Sequence, residues 1–359
     1  MSVLFLQKRS SRAGAQTSVA RLLQSRVFRS EDSRILIGET GWLSDHLQET
    51  GVPFFVFPFQ NPRFFLNRIL GLSPWAEKAI RSSDLFAGVR AIVANDFQDT
   101  QPALALSHAL QKVPVLSILR TPSMSSRDFY KHRCDRCHGL VAVGEELKKR
   151  VKSWTPRPVG LFLEGFRDDE FVHSRAVASQ CPPRVLVIGS ESPRKGFADF
   201  MEALRLLEKR RPDFPGWECF LTGNSTPLLA GRMHPPMRSR FAFLGRVLNF
   251  RELVTDFAFA VHPSRAETFG IAPIESLIAG TPTLTSTTGI IQNLRLENRW
   301  VFPPTDIEAL SDRLQDIWEN WEPPDMAALG RSIHANFNIE KTSGELMNEI
   351  LKCMQFQNA

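Results

Sequence analysis

The chain alternates short apolar runs with longer stretches of helical periodicity, the pattern of strands joined by crossover helices. Residues 3–6 open it as a buried strand, and a turn at Ser11-Arg12-Ala13-Gly14-Ala15 leads into a helix through Val19, Leu22 and Leu23. Further strands are predicted at 34–38, 54–57, 89–94, 113–119, 140–143 and 159–163. Helical stretches separate them, so this half reads as a parallel sheet. A second set begins with the unbroken apolar run 185–189, as expected for a strand buried on both faces. A helix through Phe197, Phe200, Met201, Leu204 and Leu207 follows, then strands at 219–222, 241–244, 257–261 and 300–302. Helices are predicted at 305–318 and 326–337, with a terminal helix from Phe337-Asn338-Ile339-Glu340-Lys341.

Length agrees with two α/β domains, because 359 residues exceed what one core holds, about 250–300. Residues 1–165 form the first, and 166–183, aperiodic and ending in Pro182-Pro183, form a linker. The second spans 184–337, and 338–359 is the terminal helix. Apolar residues at 43% and charged ones at 23% are ordinary for a folded globular chain, which excludes a disordered one. No apolar run reaches the ~18 residues of a membrane-spanning helix. MSVLFLQKRS is too short and too soon charged for a signal peptide. Five cysteines without regular spacing suit a reducing cytoplasm.

Charge is uneven. Residues 1–165 hold 23 Lys/Arg against 14 Asp/Glu, a net of +9; the remainder holds 21 against 24, a net of −3. An anionic partner for the first domain follows. No nucleic-acid module is recognisable, so nucleic acid is not expected. Segment 57–81 mixes Phe64, Phe65, Leu66, Ile69 and Trp75 with Arg63, Arg68, Lys78 and Arg81, a composition suited to a membrane interface or to a core-packing crossover. Cys134-Asp135-Arg136-Cys137-His138 matches a haem-attachment spacing, but no export signal accompanies it; with His132 it lacks a second pair for zinc. It reads as coincidence.

The chemistry concentrates in VHPSRAETFGIAPIESLIAGTPTLTSTTG, residues 261–289. A strand end passes through a polar turn into a helix that begins at Gly270-Ile271-Ala272-Pro273, where proline fits because first-turn amides lack acceptors. Those amides and the helix dipole can seat a phosphate. Glu267 precedes the helix, and Glu275, in its second turn, can reach ribose hydroxyls. The stretch therefore reads as a nucleotide-diphosphate site.

The same string resembles the E-x7-E signature of family 4 glycosyltransferases, including the flanking Pro263-Ser264, Phe269-Gly270 and Gly280-Thr281-Pro282. The resemblance implies the GT-B fold, with two Rossmann-like domains, the active site in the cleft between them, and a terminal helix returning to the first. It also implies transfer of a sugar from a nucleotide-sugar donor with retention. By that likeness Gly270, Ile271 and Ala272 offer amides to phosphate and sugar, Phe269 flanks them, Glu275 holds ribose, and Glu267 contacts the transferred sugar or positions the acceptor. Lys195-Gly196 matches the pyrophosphate lysine, and Gly245-Arg246-Val247 resembles a turn near the base. Lys195 is expected to face solvent until the donor binds.

Three departures matter. Ser190 stands where relatives carry an arginine, leaving Arg194 or Arg265 as the second cation, with Arg194 favoured by proximity in sequence. Ala13-Gly14-Ala15-Gln16 keeps one glycine of the first-domain loop. Arg120, at a strand end near Thr121-Pro122-Ser123, replaces a histidine; it reads equally as an anion-holding residue or a surface arginine. Asn95 and Asp96 occupy another strand end, and LEGFRDDEF at 163–171 sits where relatives leave the first domain.

These readings lead to a hexosyltransferase whose catalytic candidates are Glu267, Lys195 and Arg120. Gly14, Arg194, Lys195, Gly245, Arg246, Phe269, Gly270, Ile271, Ala272 and Glu275 are the donor-binding candidates. No cofactor and no metal are expected, because no Asp-x-Asp site is evident. The expected partners are a nucleotide-diphosphate sugar and a glycan or lipid-linked acceptor, in lipopolysaccharide or other cell-surface glycan assembly. The place is the cytoplasm, with an anionic inner-membrane surface as a further partner. The alternatives are a non-catalytic GT-B glycan- or nucleotide-binding protein and a nucleotide-sugar epimerase.

Overall fold

The computed structural model describes residues 2–59, 73–172, 184–189, 192–223, 240–247 and 249–355. The chain divides into two units, Met1–Arg167 with Phe337–Ala359, and Asp168–Asn336. In the first, β1 (Ser2–Gln7), β2 (Arg34–Ile37), β3 (Phe54–Val56), β4 (Val89–Ala94), β5 (Val115–Leu119), β6 (Gly139–Ala142) and β7 (Gly160–Leu161) form one sheet in the order β3-β2-β1-β4-β5-β6-β7. Every pairing is parallel; β1 sits between β2 and β4, with Leu4 opposite Arg34 on one side and Ile92 on the other. All six residues of β1 are buried, which explains its run of apolar residues without alternation. The helix Gly14–Gln24 covers the sheet with Val19, Leu22 and Leu23.

The terminal helix Ile339–Gln355 belongs to this unit. It buries Ile339, Leu346, Met347, Ile350 and Cys353, and the Cys353 thiol donates to the Val115 carbonyl at 3.5 Å. Gly139 leaves the room for it, since a Cβ there would press on Leu116 and Cys353. Of the expected linker, residues 166–172 are described, and the chain passes from the first unit to the second between Arg167 and Asp168. Phe166 bridges Asn338, Asp168–Glu170 form a 3-10 turn, and the Val172 amide donates to the Ile278 carbonyl. The remainder of the expected linker lies outside the described residues.

In the second unit β8 (Arg184–Ile188), β9 (Glu218–Thr222), β10 (Phe241–Gly245), β11 (Phe259–His262), β12 (Thr283–Ser286) and β13 (Val301–Phe302) pair in parallel in the order β10-β9-β8-β11-β12-β13. β12 was not expected, because Thr-Leu-Thr-Ser has a polar face. Its four residues are nevertheless buried. The Thr283 hydroxyl donates to the Thr281 carbonyl at 2.9 Å, and that of Ser286 to the Ser264 carbonyl at 2.5 Å, so the burial leaves these hydroxyls satisfied. Trp300 falls in a 3-10 turn rather than a strand, with its ring buried.

Of the 57–81 segment, residues 60–72 lie outside the described residues. Trp75 packs against the core, 5.6 Å from the Phe59 ring, so the part that is seen is a packing crossover. Cys134 and Cys137 are buried free thiols, and His138 Nδ1 accepts from the Val115 amide at 3.1 Å. Among the described residues no group of three or more His, Cys, Asp or Glu is arranged to hold a metal ion. No described helix is long and apolar enough to cross a membrane.

Candidate functional site

Each sheet reverses its strand order once, at β1/β4 and at β8/β11. Parallel sheets take ligands beyond the C-terminal strand ends at such reversals. In each unit a cluster of buried polar side chains lies there.

In the second unit, β8 leads into a 3-10 turn, Pro193–Lys195, that ends on Gly196 at φ +66°. A Cβ at Gly196 would overlap the Pro263 carbonyl, so glycine lets this turn lie directly on the strand end of β11. That contact brings Lys195 to Glu267. Lys195 Nζ donates to Glu267 Oε1 at 2.6 Å, and Arg194 lies 3.1 Å from Oε2 while also donating to the Ala266 carbonyl at 2.8 Å. The Ser264 hydroxyl adds a bond to Oε1 at 2.9 Å. Lys195 does not stand in solvent as expected, being committed to a nearly buried carboxylate. Arg265 pairs with Asp199 at 2.5 Å, so the structure joins Arg194, not Arg265, to the site. Ser190 lies outside the described residues.

Burial pushes the Glu267 carboxyl up, but the charges of Lys195, His262 and Arg194 outweigh it and hold it down at about 2. His262 closes β11 with its imidazole 1% exposed and 3.9 Å from Glu267 Oε1. Among the described residues neither ring nitrogen has a hydrogen-bond partner in another residue. Burial, with Lys195 beside it, lowers its pKa to about 3, so the ring is neutral at pH 7 and the two cations carry the effect on Glu267.

Gly270, at φ +91°, caps the helix Ile271–Ile278. Its first-turn amides lack intrahelical acceptors, and Ile271, Ala272 and Glu275 are partly exposed. The Phe269 ring is buried at 2% exposure, and its carbonyl accepts from the Ile290 amide, so the ring serves the core. Gly245 ends β10 at φ +65° with no atom of the described residues within 4 Å of where a Cβ would stand, and Arg246 is exposed.

In the first unit Arg120 is no surface arginine, at 8% exposure. It pairs with the buried Glu164, donates to the Asn95 carbonyl at 2.7 Å and side-chain oxygen at 2.8 Å, and lies over the Phe162 ring. Asn95 in turn donates to the Gln7 side chain at 2.5 Å and the Ala15 carbonyl at 2.9 Å, and the Ser18 hydroxyl donates to Glu164. The strand ends of β1, β4 and β5, the first helix and the segment after β7 are thereby tied together. Burial, only partly offset by Arg120, pushes Asp96 up to about 6. Gly14 is the exposed first residue of its helix.

The fold is that of GT-B glycosyltransferases, as the resemblance implied. Residues 182–320 match the family described as glycosyl transferases group 1, so the match falls on the unit holding the E-x7-E stretch. Anabaena Alr3699/HepE, in complex with UDP and glucose, has a similar structure with TM-score 0.78 at 16% identity, covering 96% of this chain and 98% of that one. A glycosyltransferase from Rickettsia africae gives 0.73 at 14% identity, with 99% and 98% covered. The lipopolysaccharide outer core galactosyltransferase WaaB gives 0.70 at 12%, with 98% and 99% covered. No curated protein matches the sequence.

Sequence reasoning missed His262 and Glu164. Both sat inside motifs, yet neither carries a signal until partners far along the chain are placed against it.

Proposed function

We propose that this protein transfers a hexosyl group from a nucleotide-diphosphate sugar to a glycan acceptor, with retention and without a metal ion. The observation that carries the reading is the convergence of Lys195 and Arg194 on Glu267 beside the start of the helix Ile271–Ile278. Two cations next to free helix amides are what a diphosphate needs, both bound and as a leaving group whose charge grows. Glu275 holds the ribose, Gly245 and Arg246 lie toward the base, and Glu267 faces the transferred sugar. In the first unit Arg120, its charge taken by Glu164, positions Asn95 and the loop at Gly14 rather than binding an anion itself. The acceptor is a lipid-linked or lipopolysaccharide-type glycan reached from an anionic membrane surface. The basic first unit and the likeness to WaaB support that choice.

The test is a panel of UDP-, GDP- and ADP-sugars, read by thermal shift and by nucleotide release with glycan acceptors. A cognate donor at a hundred times its Kd adds about 2.7 kcal/mol. Proton NMR of the product then reads the anomeric configuration. No shift and no release across the panel would defeat the proposal, and an epimer formed from donor alone would replace it with the epimerase reading.

A further inference from the structure

An imidazole fully buried with both nitrogens unpartnered is costly, and a structural histidine normally bonds through at least one of them. Among the described residues His262 bonds no other residue through its ring, although a carboxylate lies 3.9 Å away. The oxygen that faces it, Glu267 Oε1, already accepts from Lys195 at 2.6 Å and from the Ser264 hydroxyl at 2.9 Å. Among the described residues the charged groups facing it are Lys195 and Arg194, from the turn after β8, and Glu267, from the loop after its own strand. Arg265 and Asp199, nearby, compensate each other. Two cations against one carboxylate leave the free cluster with positive charge in excess, which keeps the ring neutral.

On the donor-site reading, a diphosphate reverses this balance. It brings negative charge on both phosphoryl groups and draws Lys195 and Arg194 toward them. Glu267 is then a buried carboxylate with weakened partners, beside an anion and an empty imidazole. We propose that binding of a nucleotide-diphosphate sugar is coupled to uptake of a proton by the His262–Glu267 pair, so that His262 becomes the counter-cation that replaces Lys195. The proton comes from solvent, and no bond other than N–H forms. His262 is a positioning residue: its charged form donates to Glu267 and holds that carboxylate in place while the lysine serves the phosphates.

The experiment is titration calorimetry of the full chain with UDP-glucose, whose phosphoryl groups do not titrate near neutrality. It is run in buffers of low and high ionisation heat at about pH 7. The expected apparent enthalpy shifts linearly with buffer heat, with a slope corresponding to uptake of about half to one proton. The affinity falls as pH rises between about 6 and 8, by up to about tenfold per unit. The His262→Leu variant, checked for folding, loses the slope and binds at every pH with the weaker affinity that the unmodified chain shows at high pH. The affinity-against-pH series on the unmodified protein reads the same coupling if that variant fails to fold. Binding with zero slope and flat pH dependence overturns the coupling and leaves the donor site standing. A full slope in His262→Leu removes His262 from it. Absence of binding to UDP-glucose and to the GDP- and ADP-sugars overturns the donor site and the coupling together.

Discussion

At the residue scale, the proposed donor site at Glu267 would link binding to stability. Lys195 would be a plain surface lysine if it faced solvent, and its loss would touch only turnover. Instead it bonds a nearly buried carboxylate, so Lys195→Ala lowers both. A hydrogen bond to a charged group is worth about 1.5–3 kcal/mol, so a loss of roughly ten- to a hundredfold in kcat/KM is expected, together with a drop in the denaturation midpoint. An unchanged midpoint would show that Arg194 and the Ser264 hydroxyl suffice for Glu267. The same cluster sets an acid response. His262 is held down from an ordinary 6.5 to about 3. Between those values the unfolded chain binds the proton and the folded one does not, so stability is lost as pH falls below 6.5. Glu267, lowered from 4.5 to about 2, contributes stability that is present above 4.5 and lost as pH falls toward 2. Chemical denaturation of the free protein from pH 7.5 to 4 should therefore show His262→Leu with a flatter fall than the unmodified chain. Parallel curves would assign the acid sensitivity elsewhere.

At the element scale, the strands of apolar composition were legible because a parallel sheet buries both faces and leaves no ambiguity. β1, β4 and β8 came out within a residue or two of their ends. β12 did not, because its hydroxyls read as a solvent face until partners such as the Ser264 carbonyl, which accepts from Ser286, are in place. The helix start at Gly270 was readable from local rules, whereas Arg120 was not: its partner Glu164 lies 44 positions away. The terminal helix was legible as a helix, but its return to the first domain only through the family resemblance, since an amphipathic stretch does not say which core it covers. Its buried face predicts the effect of losing it. Truncation after Phe337 exposes the seats of Ile339, Leu346, Met347, Ile350 and Cys353 in the first unit. At roughly 1.5–3 kcal/mol for each large side chain, the loss is comparable to the whole stability of a domain, about 5–15 kcal/mol. Hydrogen exchange of the truncated chain should find β5 and β6, which this helix touches, unprotected, while β8 and β11 stay protected. Retained protection of β6 would mean that the helix is an accessory.

At the scale of the whole molecule, the charge asymmetry has a structural seat. The helices Ser126–Lys131 and Glu145–Lys152 follow β5 and β6, and expose Arg127, Lys131, Lys149, Arg150 and Lys152. The Tyr130 hydroxyl donates to the Trp154 carbonyl, tying the two segments, and the residue is 51% exposed. Glu145 and Glu146 sit in the first turn of the second helix, where they offset the dipole, and leave the last turn to Lys149, Arg150 and Lys152. A face of this kind attracts an anionic bilayer by about 1 kcal/mol per basic residue near the surface, and salt screens the attraction over about 10 Å at 0.1 M. Sedimentation with phosphatidylglycerol vesicles at low salt should therefore carry the protein into the pellet, and high salt or neutral vesicles should release it. The double variant Lys149→Glu and Lys152→Glu, distant from the Glu267 cluster in sequence and in a different unit, should lose pelleting while keeping its affinity for a nucleotide sugar. If the unmodified protein stays in the supernatant with anionic vesicles at low salt, the basic face does not serve a membrane, and a soluble anionic glycan becomes the acceptor to test.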